Sequence, residues 1–288
     1  GTTVSRGRVG SRRAFFFSPL QPSLCGGPFY FPNHRPLTMI HYLGRQKVLL
    51  FFVVLIVLVG SFLQANIGFG FPIIAMIFFP SLFPFSTAVT LNQVIAIAST
   101  LFVSIRYRAH IRWCILLPLL VSSILVAQLV ILFSLSIDAS SLTIVLGLFL
   151  VLLSLYFARF SERIRIRATM TNGFLMGLFA GIGNGFFGIG GPPVALYLFA
   201  SVPDKKSYLA TIQAYFLFCN IHSILVRSLH GSLQVSHIPI ILVGWVSIAI
   251  GTYAGLKLFS KVPEYVLKRI VYLFVGLSGL WIALQQLL

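Results

Sequence analysis

Between Gly183 and Pro193 the chain reads GNGFFGIGGPP, five glycines and two prolines inside a stretch, Ala168 to Pro203, that holds no Asp, Glu, Lys or Arg. In a helix interior glycine costs about 1 kcal/mol and proline about 3 kcal/mol relative to alanine. Such a sequence is expected to end one helix and start another. Pro192 and Pro193 suit the first turn of the new helix, where a missing N–H is no loss. The N–H groups left free there, with the positive end of the helix dipole, favour an anion. Gly188, Gly190 and Gly191 leave that backbone uncovered by side chains. Asn184 adds an amide that donates hydrogen bonds without carrying charge. The chemistry on offer is anion binding.

A weaker copy lies 120 residues earlier. Gly68, Gly70, Pro72 and Ala75 fall on Gly188, Gly190, Pro192 and Ala195, Gln93 falls on Gln213, and His110 on His230. Polar Gln64 stands opposite polar Asn184. The order agrees too: a long segment with a glycine cluster, a short loop, a glutamine-bearing segment, then a basic or histidine-bearing loop. The expected substrate-binding set is Asn184, Gly188, Gly190, Gly191, Pro192, Gln213 and Asn220 from the second half, with Gly68, Gly70 and Gln93 from the first, around one cavity. Helix packing competes with this reading. Gly173, Gly177 and Gly181 are spaced as small-xxx-small steps, as are Gly251 and Gly255, and interhelical amide hydrogen bonds contribute about 0.6 kcal/mol on average. Packing does not require adjacent prolines, which favours binding for 183–193.

Membrane helices must position these residues. The chain is 58% hydrophobic and 9% charged, against about 25% charged in a soluble domain. About 20 apolar residues cross a bilayer as a helix, and hydropathy with helix breakers gives eight segments near 48–79, 86–105, 113–136, 141–158, 170–201, 207–227, 236–258 and 265–286. The expected fold is an all-α polytopic membrane protein. It has two four-segment repeats, 39–160 and 161–288, with the first and fifth segments broken. Residues 1–38, basic and proline-containing, read as a tail outside the fold.

The net charge of +17 fits Lys and Arg gathered in cytoplasmic loops better than it fits nucleic acid. Eight plain crossings would make the halves parallel, with both termini inside. They would also strand Lys205, Lys206, Lys257, Lys261, Lys268 and Arg269 outside. A fifth segment that dips in and returns would place those lysines inside and make the halves inverted. The four acids, Asp138, Glu162, Asp204 and Glu264, sit at or near segment ends, and Cys25, Cys114 and Cys219 show no ligand spacing. No catalytic set, metal site or cofactor is expected, and self-association is left open.

The glycine clusters resemble the TauE/SafE, or sulfite exporter, family of membrane permeases. Gly188-Ile189-Gly190-Gly191-Pro192-Pro193 matches its glycine motif, and Gly68-Phe69-Gly70-Phe71-Pro72 is a degenerate copy with Phe71 where a glycine is usual. The basic loop Arg106-Tyr107-Arg108-Ala109-His110-Ile111-Arg112-Trp113 is similar to the family's connection after its second helix. The resemblance covers roughly residues 45–287 and implies a multi-pass cell-membrane protein, as in a bacterial inner membrane. It implies transport of sulfite, sulfonates or other small organic anions. A membrane-embedded enzyme acting on a lipid phosphate, and a structural membrane protein, are the alternatives.

Overall fold

The computed structural model describes residues 36–160, 169–202, 204–258, 275–282 and 284. Residues 1–35 of the expected tail and the basic loop 161–167 lie outside them. Contacts divide the chain into Gly1–Tyr42 and Leu43–Leu288, and the second unit carries everything below. Among the described residues the elements are helical: α1 (Pro36–Ile67), α2 (Phe71–Leu82), α3 (Phe85–Arg106), α4 (Trp113–Ser134), α5 (Ala139–Phe160), α6 (Met170–Phe187), α7 (Gly191–Ser201), α8 (Lys205–Leu229) and α9 (Ile238–Leu258), with short 3₁₀ turns at 108–110 and 235–237. Residues 275–282 are also helical. Among the described residues five stretches are long and apolar enough to cross a membrane: Lys47–Ala65 of α1, α3, α4, α8 and Val235–Gly255.

Small residues set how closely these helices pack. A Cβ on Gly177 would overlap the Ser122 hydroxyl and the Leu119 carbonyl of α4, and one on Gly181 would lie 2.6 Å from the Ser123 carbonyl. Further along, Gly185 faces Val130 and Ala127. The register rises together on both helices, so α4 and α6 run parallel. Gly251 abuts Leu58 and Ser61, and Gly255 abuts Phe62 and Ala65, which makes α1 and α9 parallel in the same way. The packing role expected for these glycines is what they perform.

Two short helices fold back on the helices before them. Tyr197 of α7 donates to the Thr169 carbonyl at 3.0 Å, beside the start of α6, and its ring covers Gly173. In the same manner Gly60 of α1 faces Phe71 and Ile74 of α2. The central pair, α3 and α8, runs antiparallel. Ser86 meets Ser232 at 2.6 Å at one end, and the Arg112 N–H donates to Thr211 at 3.1 Å at the other. These are the helices that the 120-residue offset places in correspondence.

Asp138 and Asp204 start α5 and α8. Each carboxylate accepts from a backbone N–H three residues on, Ser141 and Ser207, at 2.8 Å. Those hydrogen bonds, backbone first and the serine hydroxyl second, hold both carboxyls below the usual carboxylate range.

Candidate functional site

Helix α1 stops at Ile67 and α6 at Phe187, each followed by a glycine with positive φ, Gly68 at 88° and Gly188 at 68°. Only glycine adopts that conformation freely. The Gly68 N–H donates to the Gln64 carbonyl at 2.8 Å and the Gly188 N–H to the Asn184 carbonyl at 2.9 Å, so the two helix ends have the same local chemistry. Proline sits in the first turn of both following helices, α2 and α7.

The conserved-looking order of the two halves is crossed in space. Gln213, from α8, donates through Nε2 to the Gly68 carbonyl at 3.1 Å. Gln93, from α3, donates to Asn184 Oδ1 at 3.4 Å. Its amide and that of Asn92 also lie against Gly188. Each half supplies the glutamine for the other half's helix end.

The expected site residues therefore fall into two groups. One holds Gln64, Gly68 and Gln213; the other holds Gln93, Asn184 and Gly188, with Ser223 accepting from Asn184 Nδ2 at 3.3 Å. Gln213 and Ser223 are ten residues apart on α8, about 15 Å at 1.5 Å per residue. Phe69 and Gly191 meet between the hairpins: a Cβ on Gly191 would sit 2.9 Å from the Phe69 Cβ. A Cβ on Gly190 would lie 3.1 Å from the Ala180 carbonyl oxygen and 3.2 Å from the Tyr215 hydroxyl. Gly70 lies against Gln64. Pro192 and Asn220 are buried.

The first group opens onto a cavity of about 590 Å³. Buried Gln64 and Gln213 line it with Ser99, and exposed Arg106 and Lys257 place two cations on its wall. Gln213 Nε2 carries two hydrogens and spends one on Gly68, which leaves one for a ligand. The side chains of the second group, Gln93, Asn184 and Ser223, are buried. At the 120-residue offset, Gln64, Val103, Tyr107 and Gln213 of the open cavity correspond to Asn184, Ser223, Arg227 and Gln93.

Arg227 is the functional candidate that sequence reasoning missed. It reads as a charge at a segment end, yet it is 1% exposed and donates through Nη2 to the Gly185 carbonyl. A signal was present: Gln213, Asn220 and Arg227 recur every seven residues, which puts them along one face of a helix. Arg106 and Lys257 were read only as loop charges, and their place on the cavity depends on which helix ends meet.

Apolar helices of membrane-spanning length, buried amides at paired helix ends and a cavity with cations on its wall define a multi-pass membrane protein of the transporter class. The chain belongs to the sulfite exporter TauE/SafE family, which matches residues 52–282. Membership makes it a membrane permease of a family that handles sulfite-type anions. No curated protein and no solved structure matches the chain.

Proposed function

We propose that the protein is a secondary transporter for a small oxyanion, sulfite or a sulfonate, working by alternating access between two inverted halves. The cavity carries this reading. Its cationic wall attracts an anion, and its neutral amides bind one without a fixed counter-charge that would trap it. An anion entering past Arg106 and Lys257 reaches Gln213 and Gln64 beside the end of α1. The backbone N–H groups of Gly190 and Gly191 at the start of α7 then favour negative charge from the other hairpin.

The antiparallel α3 and α8 support inverted halves over the parallel halves of eight plain crossings. The first and fifth segments act as helical hairpins whose turns, 68–70 and 188–190, are buried in protein, where non-helical backbone is tolerated at membrane depth. Exposed Arg106, Arg108, Arg112, Lys205, Lys206 and Lys257 then share one end of the bundle. By the positive-inside rule that end is cytoplasmic, so the cavity faces the cytoplasm of a cell-membrane protein.

Counterflow in proteoliposomes tests the proposal. Liposomes loaded with unlabelled sulfite should take up labelled sulfite, and sulfonates should compete. Absence of uptake for sulfite, sulfonates and carboxylates alike, in protein that is monodisperse and inserted, would reject it.

A further inference from the structure

Arg227 lies at the far end of α8 from the open cavity, with its guanidinium inside the bundle. A guanidinium offers five N–H donors and cannot shed its charge to suit an apolar site. Here Nη2 is bound by the Gly185 carbonyl, while Nε has no partner among the described residues. The described acids are no help: Asp138 and Asp204 cap α5 and α8, and Asp204 is 23 residues back along α8, roughly 35 Å at helical rise. At the same helix end as Gly185, against Gly188 three residues on, the Asn92 amide is fully buried with neither its nitrogen nor its oxygen paired, and Gln93 Oε1 is unpaired as well. Unpaired buried polar atoms are costly, and in a membrane protein a buried cation marks a ligand or ion path.

We propose that Arg227, with Asn92 and Gln93, forms a second anion site at the end of α6, opening to the face opposite the cavity. The inference rests on the transport reading above. Its ligand is a small oxyanion such as sulfate or sulfite: one guanidinium and neutral amides match a compact charge with several acceptor oxygens. The repeat supports it independently of charge. Gln93 and Arg227 are the counterparts of Gln213 and Tyr107, which line the open cavity, so the same hairpin-and-glutamine frame occurs in both halves. The second site therefore holds a buried cation, and the open cavity carries its cations on its exposed wall.

Thermal melting of the detergent-purified full chain against sodium sulfate, at constant ionic strength with chloride, tests it. Wild type should show a saturable upward shift. Arg227→Gln should move the midpoint of that shift at least about tenfold higher in sulfate, as for loss of one charge-assisted hydrogen bond. Arg227→Lys keeps a point charge and should lie between the two. If Arg227→Gln does not fold, Arg227→Lys and Asn92→Leu decide in the same way. An arginine that only ties down the end of α6 would lower the sulfate-free melting temperature and leave the sulfate midpoint where it was. That outcome, or no sulfate shift in wild type, overturns the proposal. Weakened binding in the variants alongside absent wild-type flux in liposomes would uphold the site and reject the transport reading.

Discussion

Replacing Gln213 by leucine tests the open cavity most directly. The change keeps much of the side-chain volume and removes the 3.1 Å hydrogen bond to the Gly68 carbonyl, together with the N–H that faces the cavity. A buried group left without its partner costs about 1–3 kcal/mol. At 1.4 kcal/mol per factor of ten, that is roughly a tenfold to hundredfold loss. Where the loss falls is informative. If the hydrogen bond serves only to hold the end of α1, Gln213→Leu lowers the melting temperature and leaves KM for sulfite alone. If the amide binds substrate, KM rises when sulfite is supplied from the side onto which the cavity opens. Gln93→Leu removes the longer 3.4 Å contact with Asn184 and should act on the opposite face. Proteoliposomes with known orientation, assayed from each side, separate the two. The reasoning is refuted by a folded Gln213→Leu protein with wild-type KM from both sides, or by identical side preference in the two variants.

Gly177→Ala should part α4 from α6, because the new methyl meets the Leu119 backbone carbonyl as well as a hydroxyl that can rotate away. A loss of about 1–3 kcal/mol is expected for such overpacking, and a melting temperature equal to wild type would contradict the close packing. Asp204→Asn should change how stability depends on pH. The wild-type carboxyl is held below its unfolded range by Ser207, so its contribution is full above that range and is lost as pH falls through the lowered folded value. The gap in melting temperature between wild type and Asp204→Asn should therefore narrow as the solution is acidified; a constant gap would refute the assignment. Single cysteines at Arg108, Lys206 and Lys257 should react with a membrane-impermeant reagent from the same side, and one at Asp138 from the other. Labelling of 108 and 206 from opposite sides would exclude the inverted arrangement.

The helix ends of the candidate site were legible because they are local. Glycines that leave a helix and prolines that enter one declare themselves in sequence, and the 120-residue offset pairs amides that stand at equivalent helix ends, Gln93 with Gln213 and Gln64 with Asn184. The grouping was not readable. Which helix end Gln93 meets depends on α3 and α8 lying antiparallel, and a repeat offset carries no direction. The cavity was invisible for the same reason, since Lys257 and Arg106 are far apart in the chain.

Charge, however, does bear on direction. A count over eight plain crossings leaves the second half's lysines on the minority side. When α2 and α7 are both taken as returns along α1 and α6, Arg106, Arg108 and Arg112 share an end with Lys205, Lys206 and Lys257, and Arg45, Lys47 and Arg227 lie at the other. Three basic residues on the minority side are a smaller exception than six. The physical reason the sequence resisted this reading is length: α2 has 12 residues and α7 has 11, each too short for a bilayer-spanning helix, so hydropathy merges each with its longer neighbour. A helix too short to cross can still reverse the chain's direction, and in the proposed inverted arrangement two such helices decide which face of the membrane the cations and the cavity share.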